Sequence, residues 1–152
     1  MDIGSGTGYP TAALSNFAPH PFIIDGVKCN SMEGFLQSLK FSNPDMQIQV
    51  CKLVGKHAKF KGKKKKWWRT QTLYWQGVEF SRDSQDYQNL LDRAFDALAQ
   101  NKSFRRALLA TGNSPLTHSI GKLNPTETVL TRAEFCSRLM RIRSRYIKEE
   151  NK

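Results

Sequence analysis

Glu33, Gln37 and Lys40 stand at i, i+4 and i+7 within the segment NSMEGFLQSLKF, residues 30–41. On a helix this spacing sets a carboxylate, an amide and an ammonium along one stripe, apart from the apolar stripe of Met32, Phe35, Leu36 and Leu39. Such a stripe can line a pocket for a polar ligand. The same residues also fit a plainer reading, with Glu33 as the partner of a helix cap and Lys40 as a solvated end charge. Upstream, LSNF and PHPF place Asn16, Phe17 and His20 in a loop, where they can meet a planar ligand or serve as turn formers and loop anchors. Downstream, His118 in LTHSIGK lies close to Gly112, Gly121 and Lys122 and is a candidate titrating group in a cleft, or a structural histidine. No Ser-His-Asp order and no Cys-His pair stands out.

A second kind of chemistry is carried by charge. Lys56, Lys59, Lys61 and Lys63 to Lys66 crowd one stretch and run into Trp67, Trp68 and Arg69. Clustered lysines attract phosphate in a salt-dependent way, and an indole can stack on a base. The alternative is a solvated lysine loop with both tryptophans in the core. The whole chain has 24 Lys plus Arg against 13 Asp plus Glu, a formal charge of +11, which favours polyanions and phosphorylated small molecules. Arg138, Arg141, Arg143 and Arg145 add to it near the end of the sequence. GSGTG at Gly4–Gly8 lacks the preceding strand and the Lys-Ser ending of a phosphate loop, so it reads as a flexible lead-in.

These residues need elements to hold them. PFIIDGVKC reads as two short strands around an Asp25-Gly26 turn. A helix follows, with a cap-like start at Asn30 and Ser31 and an end at Asn43-Pro44. A second is expected from about Asp45 to Leu53, then a lysine-rich loop or polar helix end. From Trp67 to Phe80 the pattern fits helix or strand, with Gly77 dividing it. The clearest helix spans about 84–101, with Leu90, Leu91, Ala94, Phe95 and Leu98 on one face. A short helix from Ser103 to Ala110, a short strand over Leu116–Ile120 and a last helix capped by Thr131 complete the chain. The expected fold class is α+β, mainly helical, in one domain with a few short strands. Residues 1–11 are expected to be a flexible Gly-rich lead-in, 12–147 the folded domain and 148–152 a frayed tail.

The 152 residues, 39% of them hydrophobic, suit one globular domain. No apolar run approaches the ~18 residues of a membrane span, and the start MDIGSGTGYP has no secretory character. Cys29, Cys51 and Cys136 are few and scattered, as expected of a reducing, cytoplasmic setting. His20, His57 and His118 lack ligand spacing, so neither a metal nor any other cofactor is expected.

LSNFAPHPFIIDG followed by NSMEGFLQSLKF resembles the N-terminal half of the NADAR superfamily, the YbiA-like proteins. There an S-N-F loop precedes a short hairpin and a helix bearing E-H-x-x-Q-x-x-K-F. Ser15, Asn16, Phe17, Glu33, Gln37, Lys40 and Phe41 match in order and spacing. The region of Trp68, the long helix and LLATG look like later family landmarks, so the resemblance spans about residues 12–146. The family histidine after the glutamate is Gly34 here, and LTHSIGKLNPTETVLT replaces an acidic, W-G-rich region.

The resemblance implies a hydrolase of the N-glycosidase type, without cofactor. Family members cut the bond between ribose C1 and a nitrogen, in ADP-ribosylated guanine or in ribosylaminopyrimidine intermediates of riboflavin synthesis. Glu33 is then the carboxylate that stabilises an oxocarbenium-like sugar and handles water, with Lys40, His118 or a tightly held water as proton donor. Asn16 and Gln37 would fix ribose hydroxyls, Phe17 and Trp68 would contact substrate, and the basic surface and helix N-termini would meet phosphate. His118 and Lys122 join the site from their place near the stretch that departs from the family pattern, not from the resemblance. The partner is a phosphorylated N-riboside, with nucleic acid on the basic surface and no membrane. A non-catalytic ADP-ribose or nucleic-acid binding module is the alternative.

Overall fold

The computed structural model describes residues 1–152. Its first paired elements are β1 (Phe22–Ile24) and β2 (Val27–Cys29), antiparallel with Phe22 opposite Cys29 and Ile24 opposite Val27. Asp25 and Gly26 both take positive φ, 49° and 76°, the turn that lets two such short strands pair tightly. Alternate residues of each strand are buried, so one face of the hairpin joins the core.

Ser31 then caps α1 (Met32–Ser38) by accepting a hydrogen bond from Gly34 N. The helix stops at Ser38, earlier than the expected Asn43-Pro44 end. Asn43 instead caps α2 (Pro44–Cys51), accepting from Asp45 N and Met46 N, with Pro44 in the first turn where its missing N–H costs nothing. Fully buried Gln47 splices these pieces together. Its amide donates to Ser38 O and Tyr74 O, and its oxygen accepts from Gln76 N.

Of the two expectations for the lysine-rich stretch, a polar helix holds as far as Lys63, forming α3 (Gly55–Lys63), and Lys64–Lys66 lie in the turn and loop after it. The helix seats itself on α1 through small residues, Ala58 and Gly62, which explains the missing apolar stripe. After a single turn of 3-10 helix at Trp67–Arg69, the ambiguous segment resolves into the hairpin β3 (Thr72–Trp75) and β4 (Val78–Ser81), with Thr72 opposite Ser81. Phe35 of α1 is sandwiched edge-on between Phe22 and Trp75, and Trp75 Nε1 donates to Asp25, so both hairpins meet over α1.

The rest is helical. α4 (Gln85–Leu98) buries Leu90, Leu91, Ala94, Phe95 and Leu98, as its periodicity predicts. Asn101, not Ser103, caps α5 (Lys102–Ala110). α6 (Arg132–Glu150) starts with a reciprocal capping box between Thr131 and Glu134. It continues through Glu150, so residues 148–150 are helical where a frayed tail was expected. The mainly helical α+β expectation is met: six α-helices and two separate two-stranded sheets.

Two further segments differ from expectation. The strand over Leu116–Ile120 reduces to one parallel bridge between Thr117 and Asp2. Its partner is the N-terminus, and the expected lead-in is anchored at both ends, with Ile3, Gly4 and Thr11 buried while residues 5–9 are exposed. Ile3 is fully buried and its N–H donates to Thr117 O, while Asp2 accepts from Ser119 N and Ser119 Oγ. No helix is long and apolar enough to cross a membrane.

Candidate functional site

α1 carries its polar stripe into a cavity of about 550 Å³. Asn16, Phe17, Glu33, Gln37, Lys40, Trp68, His118 and Lys122 all line it. Four separate segments supply them: the 15–17 loop, α1 with its C-terminal turn, the Trp67–Arg69 turn and the 118–130 loop.

The 15–17 loop is locked to the start of α1, because Glu33 N donates to Asn16 O at 2.9 Å. This satisfies one of the free N–H groups of the helix's first turn and fixes where the Glu33 side chain leaves the backbone. Gln37, one turn on, donates from Nε2 to Glu33 Oε1 at 2.9 Å. Its Oε1 is buried without a hydrogen-bond partner and points at Gly62 of α3, where a Cβ would meet the Gln37 side chain. Gln37, expected to hold a ribose hydroxyl, thus lines the cavity with its amide nitrogen bonded to the Glu33 carboxyl.

Burial pushes the Glu33 carboxyl above the usual carboxylate range. The Gln37 hydrogen bond and the nearby Lys40, Lys59 and His118 pull it back only in part. Burial likewise holds the Lys40 ammonium below the usual lysine range; Glu33 opposes that shift and Lys122 adds to it. The site therefore holds a carboxyl that is easier to protonate and an ammonium that is easier to deprotonate than usual, an arrangement that suits proton transfer.

His118 is held from behind. Its Nδ1 lies 2.8 Å from Ile3 O, and a carbonyl oxygen only accepts, so Nδ1 carries the proton. In the neutral ring Nε2 is then a bare acceptor beside Gly121. The ring also packs edge-on against Phe135 at 5.1 Å. The wall beyond it is fixed by Arg82, whose Nε donates to Thr128 O and whose two terminal nitrogens grip Glu134. Tyr87 OH donates to Val129 O at 2.6 Å.

Gly34 lies on another side of α1. A Cβ there would sit 2.6 Å from Leu53 O and 3.1 Å from the carbonyls of Val50 and Cys51, against the end of α2. The position does not line the cavity, so glycine in place of histidine takes no group out of the site. His20 is also outside, with Nε2 bound to Ala13 O, an anchoring role. The glycine-rich start contributes Ser5 alone.

Sequence reasoning left Ser5, Glu127 and Thr128 of the lining unassigned, and it treated Trp67 and lysines 59, 63 and 65 only as part of a basic, aromatic cluster. Lys59 and Lys63 are four apart, a signal readable only once that stretch is known to be helical. Trp67 is buried, while Trp68 is 52% exposed at the rim. Lys40, Lys59, Lys63, Lys65 and Lys122 together give the cavity five ammonium groups against the carboxylates of Glu33 and Glu127. That balance suits an anionic ligand with a polar reacting centre.

The family model described as bacteriophage protein GP30.3 matches residues 8–144. An uncharacterized 17.1 kDa protein of the Gp30-rIII intergenic region of Enterobacteria phage T4 is 42% identical over 140 residues, 89% of this chain and 91% of that protein. Among solved structures, the NMR structure of the E. coli protein YbiA aligns with a TM-score of 0.65 at 18% identity, over 100% of this chain and 87% of that one. At that identity the likeness is one of fold. The chain thus belongs to the bacteriophage protein GP30.3 family, and its fold is that of the YbiA-like NADAR proteins.

Proposed function

We infer that the protein is an N-glycosidase, hydrolysing the bond between ribose C1 and a base nitrogen in a phosphorylated N-riboside. The observation that carries this reading is the half-buried Glu33 carboxyl, held by Gln37 in a cavity that Lys40 and further lysines also line. No metal or redox group has a part in the reaction as proposed.

The C1–N bond breaks with its electron pair leaving on nitrogen, and positive charge develops on the ribose ring. Glu33 stabilises that charge and accepts a proton from the water whose oxygen bonds to C1. Lys40, its pKa lowered by burial, gives a proton to the departing nitrogen. Proton return from Glu33 to Lys40 resets the site. His118, held through Nδ1 by Ile3 O, and the side chain of Asn16 orient the water and the ribose hydroxyls. Phe17 and Trp68 offer aromatic surface for the base, and Lys122 with the α3 lysines meets phosphate.

The five lining lysines favour ADP-ribosylated guanine in nucleic acid over a ribosylaminopyrimidine carrying a single phosphate. The reading includes a cytoplasmic, reducing setting, in keeping with three buried free cysteines. Chromatography after incubation with a guanine-ADP-ribosylated oligonucleotide, and separately with a ribosylaminopyrimidine phosphate, tests it. Free ADP-ribose is the expected product. Ribose 5-phosphate from the pyrimidine would keep the reaction class and move the substrate. Binding of both without release of sugar from either would replace the enzyme with a binding module.

A further inference from the structure

The chain's excess positive charge is not spread evenly once ion pairs are drawn. Arg82, Arg93, Arg105, Arg138, Arg141 and Arg145 are each paired with an Asp or Glu. No lysine between 56 and 66 is in an ion pair, nor is Arg69. No acidic residue occurs between Asp45 and Glu79. The C-terminal arginines that seemed to extend the basic surface are largely consumed within the fold; the lysines of α3 and the turn after it are not.

These lysines divide by direction. Lys59, Lys63 and Lys65 line the cavity, whereas Lys56, Lys61, Lys64 and Lys66 are exposed outside it. Two large aromatic side chains stand among them in water: Phe60, 57% exposed, and Trp68, 52% exposed. Each has a cation nearby, Lys63 Nζ at 6.0 Å from the Phe60 ring centre and the Arg69 guanidinium at 5.6 Å from Trp68. A half-exposed ring beside a cation leaves surface on which a base can stack while the cation meets the adjoining phosphate.

We propose that α3 and residues 64–69 form a docking surface for single-stranded nucleic acid that leads into the cavity, with Phe60 and Trp68 as base-stacking platforms. Duplex DNA satisfies only the lysines, because its bases are already stacked on one another; an unpaired strand satisfies the rings as well. The inference relies on the proposed site only for its position. Its test uses an unmodified oligonucleotide, so failure to bind and failure to hydrolyse are separate results.

The experiment is fluorescence anisotropy of a labelled single strand, in deoxy and ribo forms, and of the matching duplex across a salt series. Either single strand should bind more tightly than its duplex. Phe60→Ala should weaken single-strand binding by about 5- to 100-fold and leave duplex binding unchanged. The combined Lys61→Gln, Lys64→Gln and Lys66→Gln variant should reduce the slope of log affinity against log salt by about 2, at ~0.7 per phosphate on a single strand. All four side chains are exposed and outside the cavity, and circular dichroism confirms that the variants fold. Equal or tighter duplex binding, an unaltered single-strand affinity in Phe60→Ala, or no binding at low salt would overturn the proposal.

Discussion

Gly62→Ala tests how the fold aims its carboxylate. A Cβ at position 62 would lie 2.8 Å from Gln37 Cδ and 3.1 Å from Gln37 Cβ, and closer still to Oε1. A swing of the Gln37 side chain relieves the contacts with Cδ and Oε1, leaving a small shift of α3 for Cβ, and the swing breaks the 2.9 Å bond to Glu33. A hydrogen bond to a charged group contributes about 1.5–3 kcal/mol. Against this, alanine gains up to about 1 kcal/mol over glycine in a helix. The net cost is therefore about 0.5–2 kcal/mol, a fall of about 1–8 °C in Tm for a chain of this size. Turnover should drop by about 10- to 100-fold with KM little changed, since the carboxylate loses its support rather than its chemistry. The assay is thermal denaturation together with the glycosidase assay, run also in a Gln37→Ala background. With no amide left to displace, the same alanine should cost less than about 0.5 kcal/mol there or become stabilising. A Gly62→Ala protein as stable as the parent, or an undiminished cost in the Gln37→Ala background, would refute the reasoning.

Other consequences follow from the same geometry. Burial lifts the folded-state pKa of Glu33 above its ordinary 4.5, so the native state favours the protonated carboxyl. That stabilisation is complete below pH 4.5 and lost as pH rises through the raised value. Glu33→Gln should accordingly be more stable than the parent at pH 7 and no more stable near pH 4, as read from urea unfolding. The pH–rate profile should be bell-shaped, with its acid limb above 4.5 from Glu33 and its alkaline limb below 10.5 from Lys40. Arg82→Met removes the guanidinium that grips Glu134 and holds Thr128 O, where the two side chains are 3% and 14% exposed. It should cost about 3–5 kcal/mol in urea unfolding, because Glu134 is left without its buried partner.

The site was more legible in the sequence than parts of the fold around it. Glu33, Gln37 and Lys40 are separated by helical spacing within a few residues, so local periodicity places them together. The α4 stripe and the Thr131 cap are local in the same sense. α3 was hidden because Ala58 and Gly62 make its contact with α1, and small residues leave no apolar signature. The β3–β4 hairpin was ambiguous because each strand has four residues, and its turn uses Gln76-Gly77 at φ 45° and 88° rather than a common Asn-Gly or Asp-Gly pair. The docking of Ile3 depends on Thr117 and His118, more than a hundred residues away, and no local pattern reports it. Gln37 shows the limit for contacts: its type and spacing put it in the cavity, but its packing against Gly62 and its bond to Glu33 are visible only in three dimensions.

The central claim is that Glu33 performs hydrolysis at ribose C1. Its most direct measurement is the single-turnover rate of parent and Glu33→Gln, with enzyme in excess over a guanine-ADP-ribosylated oligonucleotide and binding followed in parallel. The parent should release free ADP-ribose, and Glu33→Gln should bind as tightly while its rate falls by about 10²- to 10⁴-fold. Release at the parental rate by Glu33→Gln, or no release by the parent from this substrate or the ribosylaminopyrimidine, would contradict the account.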